Sequence, residues 1–487
     1  METIETTTQK PSTIFTHNPI DLKKNLINLL LSNQIDKAMK MFVTRREQAV
    51  EAIKEYETES HKIKERLDKE RIGKDPYEVC KLSRNWQEQI NETAVFFFLG
   101  NPLLFTLNND KKELEDLKPY FSIFTDFLDS IYFNERTRTA KRIAGAETEC
   151  AKLYDYFVDE DGETKVKCQI LSNSDNKQLY TLFDRFGNMV AFAVGYCMLN
   201  IDFVSEEHWD VYTNKQIFYC TKYDHGWNVR PVDNHIGKIP VIYYNQPKEW
   251  KGVQERIERD EWTSSKRGDT NDYFGDPYLI MTPDVADKRL ADGKEVGKAV
   301  VINDEKSKFE FVSPPDASKS VEDEKEEMRQ TILEGTHTPD LSYKSIMGLG
   351  TLSGEAMRRM ALPGYMKRSN RAEIYNELFN REIHLIISIL RNVIYIDNDD
   401  IRQGLAKLKI KFAYQDPFLG GLEDNSTEIA TLVGCGAMSI RSAVEMNRNV
   451  QDKELEMDRI WDEKEREMRL KAQIEKENAE NNIQNIE

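Results

Sequence analysis

The sequence is poor in the residues on which disulfide and metal chemistry depend. Only six cysteines and seven histidines occur among 487 residues, and no two cysteines form a C-x-x-C pair. A disulfide framework is typical of much shorter secreted chains. We therefore expect all six cysteines to be reduced and packed, and the protein to assemble in a reducing cytoplasm.

The sequence has no long apolar segment, and we expect no secretory leader. The start, Met1 to Phe15, is polar and rich in threonine, without the basic and apolar regions of a signal peptide. The most apolar stretches, Thr93–Phe105 and His384–Ile396, are too short and too interrupted to span a bilayer. The sequence predicts no membrane contact.

Basic residues are outnumbered, because 68 Lys and Arg face 85 Asp and Glu, which gives a formal net charge of −17. Tight binding to nucleic acid requires neutralisation of phosphates by Lys and Arg, so this balance argues against it. This charge balance remains compatible with an acidic surface past which DNA slides, because such a surface repels phosphate and prevents DNA from adhering.

No motif identifies an active site. The segment Gly293–Ala299 superficially resembles a phosphate loop, but its glycine spacing is wrong and Ala299 stands where Ser or Thr would bind magnesium. The acids of Asp159–Gly162 lack the ligand series of a calcium loop. His208, His225 and His235 have no partner at metal-ligand spacing. We expect no catalytic residue, no metal site and no cofactor, and hence not an enzyme.

Glycine is concentrated at 348–354, before a helix that Ser353 can cap. Such a stretch binds dinucleotide phosphates when it follows a strand. Here it follows a predicted helix, so that interpretation fails. What remains is a short loop between two helices.

The pattern of apolar residues predicts helices first and strands afterwards. The helices are expected at Pro19–Leu31, Asp36–Lys64, Glu88–Leu99, Pro119–Ile131, with Pro119 in a first turn, and Thr137–Ala144. Alternating segments, separated by turn residues, predict an antiparallel meander at Leu179–Phe183, Val190–Met198, Gln216–Thr221 and Ile239–Tyr244.

A small β insert between two charged helices follows. The helices are predicted at Lys248–Asp272 and Ser320–Leu333, and the insert has two expected strands, Lys298–Ile302 and Lys308–Val312.

After the glycine-rich loop, a helix must break at Pro363-Gly364. It is expected to resume at about Lys367 and to run to about Asn392 as a core helix. A strand at Lys409–Tyr414 and a helical tail from Glu423, fraying from Glu475, complete the prediction.

Six short motifs occur in an order that resembles bacteriophage portal proteins of the long-tailed phage type. The best matches are Thr338–Ser342, followed by Leu352–Met357, which are similar to a Pro-Asp-x-Ser loop and a Ser-Gly-x-Ala helix start in that family. The others are Lys81–Trp86 with Phe98–Pro102, Gly145–Glu147 with Leu153–Tyr156, Lys238–Val241, and Gly436–Ser439 with Val450–Glu456. The resemblance extends from about Leu82 to Ile460, whereas the first ~70 residues match no pattern.

The resemblance implies an α+β portal fold with a helical and β-rich wing, a two-helix stem, a small α/β clip insert, a long kinked helix and a helical crown. The expected boundaries are 1–247 for the wing, 248–272 and 318–337 for the two stem helices, 273–317 for the clip, 338–352 for the tunnel loop, 353–422 for the long wing helix and returning strand, and 423–487 for the crown and frayed tail.

The function implied by the resemblance is a dodecameric ring at one capsid vertex, through which DNA is packaged and ejected. The implied partners are double-stranded DNA, the terminase large subunit, the head–tail adaptor, and the major capsid and scaffold proteins. Assembly is expected in the host cytoplasm, and the ring is then part of the virion.

The resemblance also names the residues expected to face DNA. The tunnel loop comprises Tyr343, Lys344, Ser345, Ile346, Met347, Gly348, Leu349 and Gly350, with Lys344 placed to touch phosphate and the glycines permitting movement. The acidic lining of the stem comprises Glu322, Asp323, Glu324, Glu326 and Glu327.

Two alternatives remain open from the sequence. One is a metal-dependent nuclease with an unrecognised carboxylate site, since acidic residues are abundant. The other is a structural scaffold that does not contact DNA. The first requires clustered Asp, Glu and His side chains on neighbouring strands, and no such signature is visible in the sequence.

Overall fold

Helices and mainly antiparallel sheets share the chain, as a mixed α+β fold requires, and the one parallel pairing among the described residues joins β12 and β13. The computed structural model describes residues 19–71, 74–110, 113–201, 203–275, 278–281, 298–301, 318–342, 359–417, 429–446 and 453–484. These residues belong to two compact units. One is formed by Met1–Ser345 and Met360–Pro417, and the other by Ile346–Arg359 and Phe418–Glu487. The predicted α+β class is confirmed.

The helices of the described ranges are α1 Pro19–Leu31, α2 Ile35–Met39, α3 Arg46–Tyr56, α4 Trp86–Leu99, α5 Leu114–Ser130, α6 Phe133–Glu147, α7 Gln254–Gly275, α8 Ser318–Gly335, α9 Leu362–Ile389, α10 Asp399–Lys407, α11 Ile440–Met446 and α12 Lys453–Gln484. The strands are β1 Lys69–Arg71, β2 Lys74–Tyr77, β3 Leu104–Leu107, β4 Glu149–Val158, β5 Thr164–Leu171, β6 Gln178–Phe183, β7 Met189–Leu199, β8 Ser205–Tyr212, β9 Gln216–Tyr223, β10 Gly226–Asp233, β11 Val241–Asn245, β12 Tyr278–Met281, β13 Lys298–Val301 and β14 Ile410–Ala413.

The meander is a five-stranded antiparallel sheet in the order β10-β9-β8-β7-β6. One face packs against α1 and α2, where Leu26 and Leu30 share a core with Trp209. The other face packs against a second sheet, β11-β4-β5, through residues such as Phe192 and Val241. Three of the four predicted meander strands lie in this sheet, as β6, β7 and β9. The prediction that Ile239–Tyr244 also belongs to the meander is wrong, because β11 pairs with β4 in the second sheet.

The largest core surrounds α9, the predicted core helix. Phe379 and Tyr375 of this helix pack with Phe98 of α4, and the ring centroids of Phe98 and Tyr375 are 4.9 Å apart. The predicted strand near residue 410 is β14, which pairs antiparallel with β3. Helix α9 begins at Leu362 rather than at Lys367, because Pro363 is favourable in a first turn.

The helix predicted over Asp36–Lys64 is wrong, because this segment is divided into α2, α3 and short 3₁₀ turns. The backbone between α2 and α3 leaves the helical path to pair with the edge of the meander. Val43 and Thr181 exchange two backbone hydrogen bonds, each of 2.9 Å. This tertiary pairing overrides the local helical pattern.

Four smaller predictions also need correction. Helix α7 begins at Gln254, six residues after the predicted Lys248, because Gly252 has a φ of +90° that no right-handed helix contains. Pro119 lies inside α5 rather than in its first turn, at an exposed position where water can reach the freed carbonyl group. Helix α12 continues to Gln484 instead of fraying from Glu475.

The fourth correction concerns the cysteines. All six are free thiols, as predicted, but Cys197 and Cys435 are exposed rather than packed. Two further predictions, the strand Lys308–Val312 and the Ser353 cap, lie outside the described residues.

Candidate functional site

The two charged helices predicted to flank the insert lie side by side. Val253, just before α7, and Ile257, in its first turn, are buried against Ile332 and Leu333, near the end of α8. The start of one helix therefore packs against the end of the other, so the pair is antiparallel. An added Cβ on Gly335 would lie only 2.9 Å from Val253, which shows how closely the two helices approach.

Two of the five predicted lining acids are paired across these helices. Glu322 accepts a hydrogen bond from Arg267 at 3.1 Å, and Glu324 accepts one from Arg259 at 2.8 Å. Both arginines lie on α7, and the sequence prediction did not include them. The acidity of α8 is therefore partly neutralised by its own partner helix.

The other three acids remain on the exposed surface of α8. Glu326 lies 3.8 Å from Arg329 of the same helix, a weak exposed pair. Asp323 and Glu327 are exposed, and no ion pair of either is seen within the described residues. The channel-lining role of all five acids stays a prediction.

The predicted tunnel loop, Tyr343–Gly350, lies outside the described residues. The short segment between the end of α8 and this loop is fixed by hydrogen bonds to α8. The Arg329 guanidinium donates to both carboxylate oxygens of Asp340, at 2.7 and 2.8 Å. The backbone N–H of Thr338 bonds to the carbonyl of Leu333 at 2.8 Å. Asp340 is the acid of the Pro-Asp-x-Ser motif, so this motif residue fixes where the segment leaves the helix.

The N-terminal segment 61–86, here called the strap, runs along α7. Its backbone N–H groups at Cys80, Leu82 and Arg84 donate to side chains of α7, at 2.7, 2.9 and 2.9 Å respectively. The Trp86 indole donates to Asp260 at 3.0 Å. The acceptors on α7 include the buried carboxylates Asp260, Glu261 and Asp269, which require donors to be tolerated.

His61 anchors the start of the strap in a charged form. Its Nδ1 lies 2.6 Å from Glu261 and its Nε2 lies 2.8 Å from the carbonyl of Glu55. Both partners only accept, so both ring nitrogens must carry protons. Burial disfavours the imidazolium, but the hydrogen bond and charge of Glu261 outweigh burial, and the pKa of His61 is raised above its usual value.

We expect the strap to loosen as pH rises. A raised folded-state pKa means that the stabilisation is complete below the unfolded pKa of about 6.5 and is lost as pH rises through the folded value. Hydrogen exchange at the Arg84 amide, corrected for intrinsic rate, should therefore accelerate across this window. The variant His61→Gln should lose the pH dependence, whereas the exposed control His225→Gln should keep it. An unchanged pH dependence in His61→Gln would rule out this role.

A fully buried carboxylate, Glu249, fixes the turn before α7. It receives Lys141 of α6 at 2.6 Å, and Lys367 and Arg371 of α9 at 3.2 and 3.1 Å. Gln246 adds a hydrogen bond of 2.9 Å. Burial opposes ionisation of Glu249, but the three cations prevail and hold its pKa well below the usual range, while burial lowers the pKa of Lys367 to about 8.

Gly145 leaves the space that this cluster needs. A Cβ at this position would lie 2.1 Å from the side-chain oxygen of Asn91 and 3.1 Å from Cγ of Glu249. The glycine of the Gly145–Glu147 motif is therefore explained by packing. The cluster joins α6, α9 and the turn that leads into α7.

A second buried ion pair lies deeper in the same unit. Lys152 of β4 contacts Glu382 of α9 at 2.8 Å, and both side chains are fully buried. Thr137 accepts from Lys152 at 2.5 Å, and the hydroxyls of Tyr154 and Tyr244 donate to Glu382. Neither buried cluster was predicted, because the partners are distant in sequence.

The described residues contain no group of three or more His, Cys, Asp and Glu side chains placed to hold a metal ion. No helix within the same ranges is both long and apolar enough to cross a bilayer.

The described residues thus combine an α+β body with a charged antiparallel helix pair and with a pair of short strands that lies between the two helices in the chain. The chain belongs to the phage portal protein family, since the model described as "Phage portal protein, SPP1 Gp6-like" matches residues 40–470. The portal resemblance noted in the sequence is thereby confirmed.

Comparison with individual proteins adds less. A chain from a solved structure described as "Virion of native gene transfer agent (GTA) particle" is 10% identical, with a TM-score of 0.37. The match covers 82% of this chain and 93% of that chain. No curated protein matches the chain.

Proposed function

We propose that this chain is the portal subunit that closes into a dodecameric ring at one capsid vertex, with a central channel for DNA packaging and ejection. Membership of the portal family gives the structural role in the phage particle. The observation that carries the finer proposal is the antiparallel pair of α7 and α8, whose shared apolar contact leaves charged faces for the channel and for neighbouring copies.

The α8 face that carries Asp323, Glu326 and Glu327 lines the channel. Its exposed carboxylates repel phosphate, so DNA passes without adhering. The pairs Arg267–Glu322 and Arg259–Glu324 hold α8 against α7 and moderate the negative potential. The chain as a whole is strongly acidic, which favours passage of DNA over tight binding of DNA.

The proposed contacts with other components follow the order of the chain. The segment Tyr343–Gly350 reaches the DNA, with Lys344 facing phosphate. The insert at 273–317 receives the terminase large subunit and the head–tail adaptor. The wing, residues 1–247, meets the major capsid and scaffold proteins during assembly in the host cytoplasm.

Variants of the tunnel segment test the division between assembly and transport. We expect deletion of Tyr343–Gly350, or Gly348→Pro, to leave ring formation intact and to reduce DNA-filled heads to background. The reason is that the segment is proposed to act on DNA and not on neighbouring copies. Nuclease-protected DNA per head measures transport, and mass photometry of the purified variants measures the ring.

The phosphate contact of Lys344 has a matched control. Lys344→Glu should lower protected DNA, whereas Lys344→Arg, which keeps the charge, should not. Loss of rings in the loop variants would contradict the division of roles. Normal packaging by the deletion variant would contradict the proposed role of the segment.

A further inference from the structure

A cavity of about 390 Å³ beside α9 is lined by cationic side chains and, among the described residues, by no carboxylate. Lys238, from the segment between β10 and β11, lines it together with Arg381 and His384 of α9. The rest of the lining is mainly apolar, apart from the amide of Asn214. Because the chain as a whole carries a net charge of −17, a cavity that collects only cations differs sharply from the average composition.

The cationic cluster extends along α9 beyond the cavity. Arg381, His384 and Arg391 are spaced by three and seven residues, so they lie on one side of the helix. The Nε atom of Arg391 is buried and has no hydrogen-bond partner among the described residues. Within the same ranges, no ion pair is seen for Arg391, Arg381 or Lys238. The cluster therefore contains three cations that no described carboxylate pairs with.

The electrostatic environment of these groups disfavours their charge. Burial and the charges of Arg381 and Arg391 lower the pKa of Lys238. Burial and the charge of Lys238 lower the pKa of His384. Burial also lowers the pKa of Arg381, and Glu377 opposes this only in part. A lowered pKa of a basic group means that its charged form is less stable here than in water, so the cluster lacks compensating negative charge.

Helix α9 itself supplies only a small part of that charge. Lys238 donates to the carbonyl oxygen of His384 at 3.0 Å, which holds the ammonium group beside the helix. The C-terminal end of a helix carries a partial charge of only about −0.5. One carbonyl contact and a helix dipole do not neutralise three cations, so an anion from outside the chain is needed to complete the cluster.

The arrangement of the donors favours a phosphate group over a carboxylate. A carboxylate is planar, and one guanidinium group satisfies it through two parallel hydrogen bonds. Here the donors are of three kinds, and they belong to two separate elements of the fold. A phosphate group carries about 1.5–2 negative charges at neutral pH and has several acceptor oxygens, so it can bind donors that approach from different directions. The cavity also lies in the lower part of the volume range of small-ligand sites, about 300–1,000 Å³.

We propose that this cavity binds a phosphate group, with Lys238 and Arg381 in direct contact, His384 as a further donor and Arg391 adding positive charge. The phosphate belongs either to a small free anion or to a DNA backbone, which share this chemistry. The proposal goes beyond the proposed function and does not depend on ring formation.

Titration calorimetry of the full-length chain with pyrophosphate, in chloride buffer at constant ionic strength, tests the site. We expect saturable binding that Lys238→Gln with Arg381→Gln weakens by at least about tenfold, because two charge-assisted hydrogen bonds are lost. The matched control, Lys54→Gln with Lys251→Gln, removes the same charge from exposed positions and should leave the affinity unchanged. A parallel titration with a short DNA duplex distinguishes the two sources. Binding of the duplex with the same loss in the double variant assigns the DNA backbone, and binding of pyrophosphate alone assigns a free anion.

Urea unfolding of the same variants separates binding from a structural role. In chloride, the Lys238→Gln, Arg381→Gln variant should be at least as stable as the control, because repulsion between the cations is relieved. Pyrophosphate should raise the unfolding midpoint of the unaltered chain but not that of this variant. Absence of pyrophosphate binding to the unaltered chain, or equal affinity in the double variant, would overturn the proposal. Binding of a glutamate-rich peptide in place of pyrophosphate would also overturn it.

Discussion

Replacement of Glu249 by Gln is expected to lower the free energy of unfolding of the first unit by about 3–5 kcal/mol. Glu249 is the one carboxylate in contact with Lys141, Lys367 and Arg371 in this buried cluster. Gln has the same shape but no charge, so the three cations remain without compensation in a site from which water is excluded. Removal of one partner of a buried ionic cluster costs far more than loss of a surface pair.

Urea unfolding followed by circular dichroism measures this effect. The control is Glu255→Gln, on the exposed side of α7 and only six residues away, for which the change should stay within about 0.5 kcal/mol. A Glu249→Gln protein that unfolds at the same urea concentration as the control would show that the cluster does not stabilise the unit.

Glu382→Gln is expected to cause a loss of similar size, about 3–5 kcal/mol, because Lys152 then lies fully buried beside a neutral amide. The double variant Lys152→Met with Glu382→Gln should recover most of it. Met removes the cation and fills the space of the lysine stem. Tyr154 and Tyr244 donate to different oxygens of Glu382, so the Gln oxygen can accept from one hydroxyl and the Gln amide can donate to the other.

The same unfolding measurement compares the single and double variants. The difference in free energy of unfolding between the single and the double variant separates the effect of the uncompensated lysine charge from the effect of altered packing, as in a double-mutant cycle. If the double variant were as unstable as Glu382→Gln alone, the loss would come from disturbed packing or hydrogen bonding and not from the uncompensated lysine.

Local patterns predicted those parts of the fold whose partners are near in sequence. Strands β6, β7 and β9 of the meander were predicted from alternation, whereas β8 and β10 were not. Short turns join the strands of this sheet, so each one pairs with its neighbour along the chain. The apolar stripe of α9 likewise predicted a core helix. The failure at Asp36–Lys64 has the opposite cause, because Val43 pairs with Thr181, which is distant in sequence.

In the candidate site too, features local in sequence were predicted, whereas contacts between distant residues were not. The acids of α8 are visible as a run in the sequence, but Arg259 and Arg267, which pair with two of them, belong to a helix on the far side of the insert. Part of the strap, Lys81–Trp86, was noted as a family motif, but its contacts with α7 were not predicted, because they join residues as distant in sequence as His61 and Glu261. The signal that could have indicated these contacts is the spacing of Asp260 and Glu261, three and four residues after Ile257, which places both acids on the apolar face of the helix.

Under the proposed function, the two buried clusters attach the channel helices to the body of the subunit. Glu249 joins α9 to the turn that begins α7, and Glu382 joins α9 to the sheet through Lys152. Helix α9 follows the proposed tunnel segment in the chain. Under the proposed function, the start of α7 is thereby tied to the core around α9 while DNA passes.

Electron microscopy of the purified full-length chain tests the central claim most directly. The proposed function predicts closed dodecameric rings with a central hole wide enough for double-stranded DNA, and class averages that show one copy of the helix pair per repeat around that hole. A chain that remains a stable monomer at high concentration, or that forms open assemblies without a hole, would contradict it.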